Sequence, residues 1–152
     1  MVWFIDVTEE TRPIGVSAFT VPEASGNLCA RGGRFGTHSS NESMTPIYYK
    51  RLMFFAHFNA GVRAVDVRDP YHPKEIGYYI PAMTKETVVL ESPPGAKRDV
   101  VPTEVSKKRA IQTNNVEVDD RGYIYIVDRA NTGMHILELT GPARAIANWP
   151  KK

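Results

Sequence analysis

The chain has 152 residues, a net charge of +2, eleven glycines, eleven prolines and a single cysteine, which suits one turn-rich all-β domain without an internal disulfide. The charge is too small, and the basic residues too scattered, to predict nucleic acid as a partner. No stretch approaches the roughly 18 consecutive apolar residues of a membrane span, and the first twenty residues lack the basic start and apolar run of a signal peptide.

A six-residue pattern with alternating side chains occurs three times, at residues 2–7, 62–67 and 134–139. Alternation with period two predicts a β-strand, and each copy carries an acid at its fifth position. The three acids are Asp6, Asp66 and Glu138. Because a recurring position argues for a structural task, we expect these acids to bond a turn backbone or an arginine of an adjacent unit.

Further segments extend this repeat to a unit of four strands. Polar extended segments at 36–42 and 111–117 correspond to each other, as do aromatic and branched segments at 49–55 and 122–127. An outer strand is predicted at 75–80, after the acid-bearing strand. Four antiparallel strands per unit are typical of a propeller blade, so the predicted fold class is all-β, a partial β-propeller of four-stranded antiparallel blades.

The strand count predicts about two and a half blades in one propeller segment. Residues 1–22 form the end of one blade, 34–81 a complete blade, and 109–142 three strands of a last blade. Residues 84–108 form a surface insert between the last two. Because a closed propeller needs about four or more blades, we expect that this chain does not close a ring alone.

Residues 61–77 resemble the repeat of the LVIVD-repeat β-propeller proteins, and residues 112–116 and 119–129 resemble the final blade of longer bacterial members. The resemblance implies that the chain supplies the C-terminal blades of such a protein. Any export signal would then lie in an N-terminal part of the longer relatives. The expected partners are the remaining blades in cis or, alternatively, further copies of the chain. The family is defined by its repeat and implies no shared reaction.

The segment 31–42 is the predicted binding site, because its glycines allow close backbone approach and it leads onto an innermost strand beside the central channel. Polar side chains of the inner segments converge at such a channel, where ligands of propellers bind. The candidate ligand-binding residues are Arg34, His38, Asn41, Glu42, Asn114 and Asn115. The expected ligand is a protein or a polymer.

Two of these residues, His38 and Glu42, are also the candidate metal ligands. They would supply one nitrogen and one carboxylate to a divalent metal, with further ligands from other blades. Residues four apart in an extended strand lie about 13 Å apart, so a turn after Ser39 and Ser40 would be needed. The alternative is that both side chains hydrogen-bond to neighbouring loops.

His57 is a further histidine of the repeat, for which we predict a structural role. Residues 55–61 align with residues 127–133, which pairs His57 with Arg129. A polar donor at both positions is typical of a side chain that bonds a backbone carbonyl, so we predict a structural role for His57.

Two functions are compatible with these patterns. The first is a non-catalytic binding module, since the chain has no Walker phosphate loop, Gly-x-Ser-x-Gly elbow or His-Glu-x-x-His motif. The second is a metal-dependent propeller enzyme, an oxidase or a lactonase-like hydrolase, with its site at the central channel. Because the second depends on analogy between folds, the sequence favours the first.

Overall fold

The computed structural model describes residues 1–22, 25–90 and 108–150. This part of the chain is all-β, as predicted. Its strands are β1 (Val2–Asp6), β2 (Ile14–Phe19), β3 (Ser39–Ser40), β4 (Leu52–Ala56), β5 (Val62–Asp66), β6 (Lys74–Tyr79), β7 (Thr113–Val118), β8 (Ile124–Asp128) and β9 (Met134–Leu137). A short helix, α1 (Gly141–Arg144), follows β9, and 3₁₀ turns span Ser25–Arg31.

The strands form three antiparallel sheets, each from consecutive strands. The first sheet is β1-β2, the middle sheet is β3-β4-β5-β6, and the last sheet is β7-β8-β9. Branched and aromatic side chains, which fit a pleated surface, dominate β8, and the buried faces of β4 and β5 carry Phe54, Phe55, Val62 and Val65. Among the described residues, no helix has the length and apolar character needed to cross a membrane.

The predicted repeat is present in the strand pairing of the first two sheets. Val2 pairs with Phe19 in the β1–β2 hairpin, and Val62 pairs with Tyr79 in the β5–β6 hairpin. All five pairs of the first hairpin recur in the second at numbers 60 higher, and both hairpins have a register shift after the third residue of their first strand. The two hairpins are therefore structural copies.

The last sheet has the same strand pairing as the middle sheet, but its β8–β9 turn is one residue longer than the β4–β5 turn. The backbone N–H of His57 donates to the carbonyl of Gly61 at 2.7 Å, and that of Asp128 donates to the carbonyl of Gly133 at 3.0 Å. These two bonds close the β4–β5 and β8–β9 turns, respectively. His57 therefore corresponds to Asp128, and the alignment of His57 with Arg129 was wrong.

The middle sheet is buried on both faces because the other two sheets pack against it. Phe54 faces the last sheet and its neighbour Phe55 faces the first sheet. The first interface consists of Phe19, Val21, Leu28, Phe55, Ala60 and Val65, with Val2 and Phe4 packed against them. The second includes Leu52, Phe54, Ala56, Val62, Ala64, Val116, Val118, Ile124 and Ile126. Burying each large side chain contributes about 1.5–3 kcal/mol, so these interfaces are the main source of stability.

The middle and last sheets are also joined at one end through Tyr48. Its hydroxyl donates to the carbonyl of Gly122 at 2.6 Å, and its ring contacts that of Trp149 with 6.1 Å between centroids. The backbone N–H of Asn148 donates to the carbonyl of Ile47 at 2.8 Å. Burial raises the pKa of Tyr48 to about 12. The segment after α1 thus holds the two sheets together beside β4.

Two predicted segments differ from the described structure or fall mostly outside it. The inner strand predicted over 36–42 is only two residues long in the structure, as β3. Its extended conformation continues on both sides, since the N–H groups of His38 and Asn41 donate to carbonyls of β4. The insert predicted at 84–108 lies mostly outside the described residues.

Candidate functional site

The edge strands β3 and β7 lie side by side, which brings the two predicted polar segments together. The hydroxyl of Ser39 donates to the carbonyl of Asn114 at 2.8 Å, and Nδ1 of His38 lies 2.8 Å from the same oxygen. The N–H of Thr113 donates to the carbonyl of Phe58 at 3.0 Å. The candidate site is therefore a seam between the inner edges of the middle and last sheets.

The contact with Asn114 determines the state of the His38 ring. A carbonyl oxygen only accepts, so Nδ1 of His38 carries a hydrogen in this bond. In the neutral ring Nε2 is then the acceptor, and in the protonated ring it is a second donor. The ring also lies 5.0 Å from that of Phe58, between centroids. His38 is exposed, and its orientation is fixed by a backbone carbonyl and an aromatic ring.

Two guanidinium groups contact the same residues as this histidine. Cζ of Arg34 lies 5.9 Å from the centroid of the Phe58 ring, and Nη1 of Arg129 donates to Oδ1 of Asn114 at 3.4 Å. Arg34, His38 and Arg129 are all exposed. We call these three side chains, with Phe58 and Asn114 between them, the basic edge. Arg129 was not predictable as a site residue, because its position next to Asn114 depends on the pairing of β7 with β8.

The remaining amides of the predicted site bond within the protein. Oδ1 of Asn41 accepts from the N–H of Phe54 at 2.9 Å, and its Nδ2 donates to the carbonyl of Ser43 at 3.1 Å. Nδ2 of Asn114 donates to Oδ1 of Asn115. Asn41 therefore holds the loop after β3 against β4, which is a structural role.

Glu42 takes part through its backbone. Its N–H donates to Oε2 of Glu117 at 3.1 Å, and the N–H of Ser43 donates to Oε1 of the same carboxylate at 3.0 Å. Glu117 thus binds the loop after β3, a role that sequence analysis missed because the two segments are 75 residues apart. The Glu42 side chain itself is exposed.

His38 and Glu42 do not fit a single metal ion. The N–H of His38 donates to the carbonyl of Ala56 and the N–H of Asn41 to that of Phe54, so the chain stays extended through residue 41. The required turn after β3 is not formed, and an extended segment of this length spans about 13 Å. Within residues 1–22, 25–90 and 108–150, no group of three or more His, Cys, Asp or Glu side chains is suitably placed for a metal.

The buried carboxylate of Asp128 positions the backbone next to the basic edge. Asp128 accepts hydrogen bonds from the N–H groups of Gln112, Ala130 (2.7 Å) and Thr132 (3.2 Å). Oε1 of Gln112 in turn accepts from the N–H of Arg34 at 2.9 Å. Three donors on one carboxylate satisfy it in the interior, and the resulting network fixes the backbone of Arg34 relative to β8.

The glycine-rich approach to the site is a packing feature. Gly33 has a φ of +68°, and a Cβ built on it would lie 2.1 Å from Nε2 of Gln112. Nδ2 of the buried Asn59 donates to the carbonyl of Gly32 at 2.8 Å. The backbone N–H of Asn59 donates to the carbonyl of Arg34 at 3.1 Å. The glycines therefore allow this loop to approach Gln112 and Asn59, which positions Arg34.

The recurring acids bond turn backbones at two of three positions. Oδ1 of Asp6 accepts from the N–H of Thr8 at 2.8 Å, and Oδ1 of Asp66 accepts from the N–H of Arg68 at 3.1 Å. Side-chain bonds from Thr8 and Arg68 lower the pKa values of the two carboxyl groups. In the described part of the chain, Glu138 makes no such bond. Asp6 and Asp66 therefore stabilise equivalent turns.

A cleft of about 470 Å³ lies between the first and middle sheets, beside the unpaired edge of β1. Phe4, Met53 and Val67 are among its apolar lining residues, and Lys50 and Arg68 are among its charged ones. In the middle sheet β4 pairs with the strand that corresponds to β1. The cleft therefore lies where the equivalent of β4 would be, and its apolar lining is explained by the repeat.

Comparisons with protein-family models and with curated proteins find no match for this chain.

Proposed function

We propose that the chain is a partial β-propeller of the LVIVD-repeat type, with about two and a half blades, and that it acts as a non-catalytic binding module. The equal registers of the β1–β2 and β5–β6 hairpins support the repeat. A four-stranded sheet in sequential order, buried between two others, supports the blade. Inner strands that converge at one seam are the usual location of propeller ligands.

The observation that carries the binding proposal is the basic edge. The guanidinium groups of Arg34 and Arg129 contact Phe58 and Asn114, respectively, which are the two residues that orient the imidazole of His38. A guanidinium binds a carboxylate through two parallel N–H donors, and an aromatic ring beneath it limits the orientations that it can take. The preferred ligand is therefore an acidic segment of a partner protein.

The hydrogen bonds within the basic edge favour binding over catalysis. The ring of His38 and the guanidinium of Arg129 both bond to Asn114, and the hydroxyl of Ser39 donates to the Asn114 carbonyl and not to the imidazole that would have to activate it as a nucleophile. A metal-dependent oxidase or lactonase-like hydrolase gains no support from His38 and Glu42, because the extended chain between them keeps the two residues apart. We infer that the seam recognises charge.

The test is the affinity for a model acidic polypeptide. Fluorescently labelled poly-L-glutamate is titrated with the full chain at low and physiological salt, and anisotropy is recorded. The Arg34→Gln/Arg129→Gln double variant should bind at least about tenfold more weakly, since each charged hydrogen bond is worth about 1.5–3 kcal/mol. Binding should weaken as salt screens the charges.

The matched control is Arg12→Gln/Lys74→Gln, at an exposed turn of the first sheet and an exposed position of β6. It removes two positive charges, like the test variant, and should keep the wild-type affinity within about twofold, because exposed charges outside the site contribute only about 0–1 kcal/mol. Equal losses in both variants would mean that net charge alone attracts the polymer. Absence of binding by the wild-type chain would refute the acidic ligand, and preference for an acidic polysaccharide would contradict a protein partner.

A further inference from the structure

The outer face of the first sheet is apolar and exposed. We call it the head face, and it carries Trp3, Ile5 and Val7. The register that relates the first and middle sheets makes Val65 the counterpart of Ile5. Val65 has no exposed surface, whereas Ile5 is 56% exposed. The head face therefore repeats a surface that the middle sheet buries against its neighbour.

The outer face of the last sheet shows the same contrast. We call it the tail face, and it carries Val127, Met134 and Ile136. Their counterparts in the middle sheet are Ala56, Val62 and Ala64, respectively. Ile136 is 56% exposed and Ala64 only 6%. All three counterparts belong to the cluster packed against the last sheet.

A tail face can pack on a head face, because equivalent surfaces already do so inside the chain. Inside the chain, Val2 and Phe4 of the first sheet occupy the positions that Val62 and Ala64 occupy in the middle sheet, so they are of the tail type. They pack against Val65 and the rest of a face of the head type. The first sheet thus packs its tail-type face on the head-type face of the middle sheet. The same kind of contact is therefore already present within one chain.

We propose that copies of this chain associate head to tail, with the tail face of one copy packed on the head face of the next. Each face groups three exposed apolar residues, whereas apolar residues scattered singly over a surface are normal. The head face lies on the first sheet and the tail face on the last sheet. The interface is heterologous, so repetition either closes a ring or continues. Two chains contribute six sheets, within the range of roughly four to eight that closed propellers contain. This association is independent of the ligand of the basic edge.

The test uses two variants that each block one face, Ile5→Lys on the head face and Ile136→Lys on the tail face. A lysine at either position would leave a charge in the apolar contact without a partner. Sedimentation velocity of the wild-type chain should give at least twice the monomer mass of 17.0 kDa. Each variant alone should sediment as a monomer, because every contact needs one intact face of each kind.

An equimolar mixture of the two variants is the decisive sample. The intact tail face of the Ile5→Lys chain meets the intact head face of the Ile136→Lys chain, so a one-to-one complex should form and grow no further. Met83→Lys, at an exposed apolar residue outside both faces, is the control and should assemble like the wild type. A face-to-face contact between identical faces would instead survive in one of the single variants.

Three results would overturn the proposal: a monomeric wild type at concentrations of about 100 µM, where even weak interfaces assemble, assembly of either single variant, or failure of the mixture to form a complex. Circular dichroism and the urea midpoint of each variant must match the wild type. Met134→Lys replaces Ile136→Lys should the latter fail that check.

Discussion

The carboxylate of Asp128, at the end of β8, accepts a hydrogen bond from the backbone N–H of Gln112, just before β7. This bond links the central strand of the last sheet to the start of its neighbour β7, next to the basic edge. The side chain of Gln112 also accepts from the N–H of Arg34, in the loop before β3. The network explains how Arg34 and Arg129 keep a fixed relation to each other.

Replacing Asp128 by Asn should destabilise the protein by about 2–3 kcal/mol. The amide has one acceptor oxygen and places two N–H donors among the three donors that the carboxylate now satisfies. Urea unfolding followed by circular dichroism measures the change. Asp120→Asn, in the exposed turn before β8, is the control and should change stability by less than about 0.5 kcal/mol. Equal stability of the two variants would contradict the structural role of Asp128.

Gly33→Ala should cost about 2–3 kcal/mol, because it combines a positive φ with overlap between the new Cβ and Gln112. Gly26→Ala is matched to it, since Gly26 has a φ of +75° and nothing within 4 Å of its Cβ position. Gly26→Ala should therefore cost only about 1 kcal/mol, the price of the backbone conformation. The cost of Gly33→Ala should fall in a Gln112→Ala background, and an unchanged cost would refute the packing explanation.

Tyr48→Phe should destabilise the protein by about 1–2 kcal/mol, because it leaves the carbonyl of Gly122 without the hydroxyl that bonds it at 2.6 Å. Thermal and urea unfolding both report the loss. Tyr71→Phe removes an exposed hydroxyl from the β5–β6 turn and should have no measurable effect. A neutral Tyr48→Phe would mean that water replaces the bond.

Stability should fall at alkaline pH through Tyr48. Burial raises the pKa of this phenol from 10.0 to about 12. The folded state then holds its proton more tightly than the unfolded state, so this contribution is complete below pH 10 and is lost as pH rises toward 12. The free energy of unfolding of the wild type, measured from pH 9 to 12, should decline more steeply than that of Tyr48→Phe. Parallel curves would contradict the shift.

The strands were predictable where local pattern determines them. Alternation predicted β1 and β5, and the acid at the end of each strand bonds the N–H two residues on, as expected for a turn. The longer turn of the last sheet was not predictable, because Gly61 and Gly133 align well and only strand pairing shows the extra residue. Non-local bonds also hid the roles of Glu117 and Asp128. The inner strand was overestimated because Glu117 draws the loop N–H groups away from β4.

The equal registers of the first two hairpins have a consequence for engineering. Because every pair recurs at numbers 60 higher, residues 22–81 amount to one transferable module. A tandem duplication of this module should insert one more sheet whose two surfaces already match their neighbours. A duplication of 60 residues would keep each copied strand in the register of its original. The offset between the first two hairpins is thus a guide for lengthening the chain.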